Sequence, residues 1–503
     1  MKPSVLTTEL HNEIFLVKPS PSQIEITGIT SNSMHVKNGF LFIAEKGLST
    51  DGHKYIPSAI ERGAMALLVE KVECVPHNYP GLVLKSTNTR AVAPAIGALF
   101  YNKPSDKLFC IGITGTNGKT SFTYLVEHFF NAAKKKTGVI GTIDHHIGSK
   151  IWNSERTTPH PIEIQERLKD FVENNAKTLA IEVTSHALDQ KRVEGIEFDV
   201  GVFSNLTRDH LDYHSTMEEY FEVKQKFFTE NLSHSSKKQI YAIINRDDPW
   251  GAKIQIPSNI TKWTYGAGKI NNSLENDFSF ILNKMDFSGT LFTLNTPFGT
   301  MNLNSPLIGN YNIYNVLSSI AAALAGGLDL KLIEKSLPQF PGIPGRLQRV
   351  QSNQKKSVFI DYAHTPDALE NVLSSILKIK EQFKSNGRIL CVFGCGGDRD
   401  KGKRPIMAQI AERYADLIIV TSDNPRSENP IQIINDINTG FNNPTSHKII
   451  LEPDRHKAIT LSINEAMPDD IVLIAGKGHE DYQIIGKEKF YFSDYEIARK
   501  LLT

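Results

Sequence analysis

Four cysteines in 503 residues (Cys74, Cys110, Cys391 and Cys395) are too few and too scattered for a disulfide framework, and none stands in a Cys-x-x-Cys pattern with partner histidines. Reduced thiols with no metal role are expected. Net charge is almost absent as well: 56 Lys and Arg against 55 Asp and Glu leave +1. With no field of one sign over the chain, neither nucleic acid nor an anionic membrane surface is an expected partner, and an anionic ligand needs a local site. Long apolar runs are missing. Even the Ala-rich segment 320–328 falls short of the ~18 to 20 residues that cross a bilayer. The first 21 residues mix Glu9, His11, Glu13 and Lys18 among apolar residues, unlike the apolar core of an export signal. No membrane insertion and a cytoplasmic location follow as expectations. No internal repeat or low-complexity tract is visible.

What is present fits a soluble globular protein, with 40% apolar and 22% charged residues. The length suggests about three domains. In the first part, GFLFIAE and AMALLVE read as strands flanking a helical YIPSAIERG, a small α/β domain over residues 1–105. The polar NKPSDK break precedes LFCIGIT. From there to residue 339, apolar runs (LFCIGIT, TLAIEVT, DVGVFSN, QIYAIIN) alternate with helical segments such as SFTYLVEHFFNAAKK and MEEYFEVKQKFF. That alternation predicts a parallel sheet covered by helices. FPGIPGRL, rich in Pro and Gly, breaks the pattern. Residues 340–503 then repeat strand and helix (SVFIDYA, ILCVFGC, DLIIVTS, HKIIL, DIVLIAG), which predicts a doubly wound, Rossmann-like sheet with ligands beyond the strand C-termini.

The sharpest local signal is Gly112-Ile113-Thr114-Gly115-Thr116-Asn117-Gly118-Lys119-Thr120, between an apolar strand and an amphipathic helix. Glycines let backbone amides close around phosphate oxygens, Lys119 places a charge on the outer phosphates, and the Thr120 hydroxyl suits Mg²⁺. The spacing departs from the strict P-loop pattern, because the extra glycine is Gly112 rather than residue 113. Nucleoside triphosphate binding is the expectation. Glu182 follows TLAI and His210 lies in the loop after DVGVFSN, so both are expected at strand ends beside this loop.

The shifted loop, in the form TGTNGKT, resembles that of the Mur ligases. The resemblance extends through IEVTSHALDQKRV (181–193), NLTRDHLDYH (205–214), GNYNIYN (309–315), FPGIPGRL (340–347), DYAHTPDALE (361–370), FGCGGDRDKGKRP (393–405), DNPRSENP (423–430) and GKGHEDYQ (476–483). It implies three domains. It also implies an ATP-dependent ligase that joins a diamino acid to the D-glutamate carboxylate of UDP-N-acetylmuramoyl-L-alanyl-D-glutamate through an acyl phosphate, in peptidoglycan synthesis.

By that resemblance, Gly115, Thr116, Asn117, Gly118, Lys119, Thr120, Ser121, Asn315, Arg346 and Asp361 serve ATP. Thr120, Glu182, His210 and Lys224 fall on Mg²⁺ positions, and Lys119, Glu182, His210 and Lys224 on catalytic ones. Lys224 alone reads as an ordinary solvated lysine on an amphipathic helix. The resemblance instead implies that it reacts with CO₂, the carbamate supplying oxygen to the metal. Thr157, Thr158, Ser185, Gln190 and Arg192 fall on muramoyl-peptide contacts, whereas Arg156 replaces an Asn of several relatives and is not carried over. At the uracil end, Ser31 and Ser33 are the candidates, with an ordinary polar turn as an equal reading. Arg346 on the inter-domain linker leads to the expectation that the third domain closes over ATP and the amino acid.

For the incoming amino acid, Asp423, Asn424, Pro425 and Arg426 form the DNPR motif. Meso-diaminopimelate differs from lysine by one carboxylate, which a guanidinium fork matches with two charge-assisted hydrogen bonds. Arg426 therefore favours diaminopimelate. Arg399 is expected to take another carboxylate and Glu480 the distal ammonium, with Gly476 and Asn424 adding polar contacts. A lysine-adding ligase and a folylpolyglutamate-type ligase are the near rivals, disfavoured by DNPR and the GDRDKGKRP loop. A non-catalytic, ATP-gated sensor of UDP-precursors is the rival from another class, disfavoured by Glu182, His210 and Lys224. A monomer is expected.

Overall fold

The computed structural model describes residues 1–503 except 20–23, 48–49, 208, 210–212, 269–275, 351, 353–355 and 383–384. The chain divides into two compact units. One comprises Met1–Ser279, Asn295–Phe298 and Tyr314–Ile333, the other Phe280–Leu294, Gly299–Ile313 and Glu334–Thr503.

The first unit begins with a five-stranded sheet in which strands Gly28–Thr30, Phe40–Ile43, Ala66–Val69 and Leu82–Lys85 run parallel and Phe15–Lys18 joins the edge antiparallel. A second, larger sheet has Phe109–Thr114 at its centre, between Thr178–Glu182 and Val200–Phe203, with Thr137–Ile140 and Tyr241–Asn245 outside these, all parallel. The parallel strands are wholly or nearly wholly buried, as a sheet covered on both faces requires. A hairpin of Asp144–Ile147 and Lys150–Asn153 extends one edge antiparallel, a feature the alternation of strands and helices did not announce.

Helix Met217–Lys226 continues in π-helical form over Phe227–Leu232. Its Phe227 ring lies where any side chain on Gly112 would sit, since a Cβ there would meet the ring at 2.6 Å. Glycine in the central strand thus lets this helix press onto the sheet directly behind the glycine-rich loop.

In the second unit, strands Ser357–Asp361, Ile471–Ala475, Ile389–Phe393, Leu417–Val420 and Ile449–Leu451 lie in that order, all parallel, with Gln348–Val350 antiparallel at one edge. The chain moves outward through four strands and returns to insert the fifth between the first two. The strand C-termini on either side of that reversal form the crevice where ligands bind in such sheets.

This crevice is braced by a fully buried ion pair. Arg455 donates through Nε and Nη2 to the two oxygens of Asp494 at 2.8 and 2.7 Å, and also to the carbonyls of Ser422 and Ala475 at 3.2 and 3.0 Å. Asp494→Asn removes the counter-charge while leaving the guanidinium buried. The urea midpoint of the second unit is expected to fall, with a loss of about 3–5 kcal/mol. An unchanged midpoint would refute this role.

Candidate active site

Strand Phe109–Thr114 ends in the loop 115–118, and helix Lys119–Ala132 starts immediately after it. Gly118 has φ +89°, and a Cβ there would lie 2.3 Å from Asn315 Oδ1, so only glycine permits both the backbone and the approach of Asn315. Thr120 and Ser121 occupy the first helical turn, where unpaired N–H groups and the helix dipole favour an anion.

The loop is locked by the segment after strand Val200–Phe203. Asn205 accepts from Thr116 N (2.8 Å) through its carbonyl and from Asn117 N (2.9 Å) through Oδ1, and Ser204 Oγ donates to Asn117 O at 2.7 Å. Lys119 Nζ donates to Gly115 O and Thr116 O at 2.9 and 2.8 Å.

Lys224 is not solvated. It is 1% exposed and donates to Gly115 O at 3.0 Å, with its ammonium 4.7 Å from the Tyr220 ring. Burial first, and Lys119 second, hold its pKa well below the ordinary lysine range. Tyr220, Phe221, Phe227 and Phe228 place Lys224 within an apolar stripe at helical spacing. That signal was available in the sequence.

Glu182, 1% exposed at the end of its strand, accepts from Thr142 N and Thr142 Oγ1 at 2.9 and 3.0 Å. Around it the structure gathers several expected residues. Thr157 Oγ1 is 3.1 Å from Thr142 Oγ1, and Thr158 Oγ1 donates to Glu182 O at 2.7 Å. Arg192 donates to Thr158 O (2.8 Å) and Gln190 Oε1 (2.7 Å), and the Ser185 hydroxyl is buried with no hydrogen-bond partner among the described residues. Burial and then Arg156 lower the Arg192 pKa. His210 lies outside the described residues. Among those described, no group of three or more His, Cys, Asp or Glu side chains forms a metal site.

A cavity of about 1470 Å³ is lined by Ser31, Asn32, Met34, Arg156, His160 and Arg167, among others. Ser31 Oγ lies 3.4 Å from His160 Nε2, which is paired with Glu45 at 3.0 Å. Ser33 is buried in a short 3-10 turn and does not line this cavity. His160 and Glu45 had no signal in the sequence, because their contact spans 115 residues.

In the second unit Asp361 ends one strand, Arg399, Asp423–Arg426 and Gly476 follow the ends of others, and Arg346 precedes the edge strand Gln348–Val350. Asp361 accepts from Leu347 N (2.6 Å) and Ala363 N (2.9 Å), and burial raises its pKa. Arg346 sits 5.8 Å from the Tyr362 ring. Arg426, at φ +51°, donates through Nη1 to Gly397 O at 2.8 Å, bringing the DNPR turn against the loop that carries the exposed Arg399. The Gly397 N–H donates to Asn424 O at 2.9 Å, and a side chain on Gly397 would collide with Pro425 O. Asp423 Oδ2 is buried beside Gly476 with no hydrogen-bond partner among the described residues.

Three family descriptions match this chain: Mur ligase family, catalytic domain, over 25–98; Mur ligase middle domain over 113–323; and Mur ligase, glutamate ligase domain, over 345–478. The chain is 44% identical over 491 residues to the UDP-N-acetylmuramoyl-L-alanyl-D-glutamate–2,6-diaminopimelate ligase of Geobacter sulfurreducens, covering 94% of each. The chain belongs to the Mur ligase family. The Bacillus cereus ligase of the same name is 41% identical and matches 100% of this Mur ligase and 99% of its own length. A solved structure of a ligase with that name superposes with TM-score 0.70 at 31% identity, covering 97% of both chains. The three-domain α/β fold of the Mur ligases is therefore the fold of this chain.

Proposed function

We propose that this Mur ligase joins meso-2,6-diaminopimelate to the D-glutamate carboxylate of UDP-N-acetylmuramoyl-L-alanyl-D-glutamate, cleaving ATP to ADP and phosphate, as a step of peptidoglycan synthesis. The full-length match to ligases of that name carries the reading. DNPR ending in Arg426 supports the diaminopimelate choice.

A carboxylate is a poor electrophile. Its oxygen attacks the γ-phosphorus of ATP, the bond to ADP breaks, and an acyl phosphate results. The amine then attacks the acyl carbon, loses a proton, and phosphate departs. The amides of 115–121 and Lys119 grip the nucleotide phosphates, and preorganised donors of this kind stabilise charge as it develops. Thr157, Thr158, Ser185, Gln190 and Arg192 hold the peptide beside Glu182. Asn315 adds to these ATP contacts, and Ser31 and Ser33 belong to the uridine end.

The donors Thr120, Glu182 and His210 fit Mg²⁺, a hard ion usually bound by one or two carboxylates together with substrate phosphates and water. When bound, the ion neutralises phosphate charge. The buried Lys224 amine beside Gly115 O suits reaction with CO₂, giving a carbamate oxygen for the same ion. Domains spanning 1–105, 106–339 and 340–503 divide uridine, ATP and amino-acid binding, and the ligase acts as a cytoplasmic monomer.

Purified protein with ATP, Mg²⁺ and the UDP-dipeptide is expected to incorporate meso-diaminopimelate and to discriminate against lysine, read by product mass and phosphate release. Incorporation of neither amino acid overturns the proposal. Arg426→Lys loses the bidentate fork, so KM for meso-diaminopimelate is expected to rise about 10- to 100-fold. An unchanged KM removes Arg426 from the recognition set.

A further inference from the structure

Lys477 follows strand Ile471–Ala475 by two residues and is fully buried, yet no step above uses it. Its ammonium donates to Asn424 Oδ1 at 3.2 Å and to Glu480 Oε2 at 3.1 Å. Asn424 Nδ2 donates to the same Glu480 oxygen at 2.9 Å, closing a triangle of three side chains. Ile484 N adds a bond to Asn424 Oδ1 at 2.9 Å, and the Lys477 ammonium lies 5.4 Å from the Tyr482 ring. Burial chiefly, and the charge of Glu480 next, push the Tyr482 phenol up to about 12.

An ammonium buried to this degree is retained only where it is paired and hydrogen-bonded, and an apolar side chain of similar length would fill the same volume without that cost. The two partners of Lys477 are the residues assigned above to the incoming amino acid. A carboxylate on a three-carbon stem has rotamers to spare. Two donors converging on one of its oxygens fix where its charge stands.

We infer that Lys477 is a positioning residue for amino-acid recognition: it orients Glu480, with Asn424, to receive the distal ammonium of the diamino acid. The inference rests on the proposed function and adds a residue to it. Because Lys477 acts through Glu480, its loss affects only substrates that carry the distal amine.

The test uses the full-length protein with ATP and the UDP-dipeptide. Lys477→Met is expected to raise KM for meso-diaminopimelate by about tenfold or more. Its kcat, its KM for ATP and its KM for the UDP-dipeptide stay within about twofold, and 2-aminopimelate, which lacks the distal amine, is used as before. In a Glu480→Gln background the same substitution adds less than about twofold, as coupled groups require. A uniform shift of all parameters, an equal rise for both amino acids, or additive effects would overturn the inference. If Lys477→Met does not fold, Lys477→Gln is measured in the same way. The wild-type protein must also prefer meso-diaminopimelate to 2-aminopimelate in kcat/KM by about tenfold or more; equal use overturns the inference. A wild-type protein that makes no tripeptide product fails earlier, at the activity itself.

Discussion

Lys119→Ala is expected to lower kcat for ATP-dependent product formation by about 10²- to 10³-fold, with the protein still folded by circular dichroism. The physical reason is local. Lys119 opens helix Lys119–Ala132 and its ammonium reaches back over the loop carbonyls of Gly115 and Thr116. In the proposed reaction a charge so placed stands where the outer phosphates of the nucleotide come to rest. Alanine leaves the loop amides but removes the positive charge that Lys119 brings to the loop, which in the proposed reaction faces the phosphoryl being transferred. Activity within about tenfold of wild type would mean that the loop binds the nucleotide without assisting transfer.

The second large effect is expected at Lys224→Ala, which should lose about 10²-fold or more in kcat and recover part of it with added acetate or propionate. In the proposed reaction, a carboxylate small enough to enter the vacated space replaces the oxygen of the Lys224 carbamate. Intact-protein mass spectrometry under mild conditions is expected to show one added CO₂ on the wild type and none on the variant. Normal activity of Lys224→Ala without added CO₂ or carboxylate contradicts the carbamate. Lys224→Arg is expected not to rescue, since a guanidinium stays charged and does not take up CO₂.

The strands at the centre of both large sheets are legible because their apolar runs are buried on both faces and flanked by turn residues. LFCIGIT, TLAIEVT and DVGVFSN contain the strands Phe109–Thr114, Thr178–Glu182 and Val200–Phe203. The glycine-rich loop is legible for a related reason: phosphate binding needs a fixed run of residue types over a few positions. The hairpin Asp144–Ile147 and Lys150–Asn153 was not, since DHHI and KIWN carry little apolar alternation.

Burial of Lys224 lies between these cases. Periodicity puts it in an apolar stripe, but a lysine there reads by default as a solvated side chain. What decides is the fit of Phe227 against Gly112, a contact between residues far apart in sequence. The pairing of Glu45 with His160 and the triangle around Lys477 are of the same kind. Glu45 follows strand Phe40–Ile43 and His160 precedes helix Pro161–Glu173, while Asn424 and Lys477 follow two different strands of one sheet, and only the folded chain brings each pair together.

The most direct measurement follows an oxygen atom. With heavy oxygen in the D-glutamate carboxylates of the UDP-dipeptide, an acyl phosphate requires that one labelled oxygen leave in the released phosphate for each tripeptide formed. Unlabelled phosphate, accompanied by normal product, would contradict carboxylate activation by the nucleotide held at Lys119.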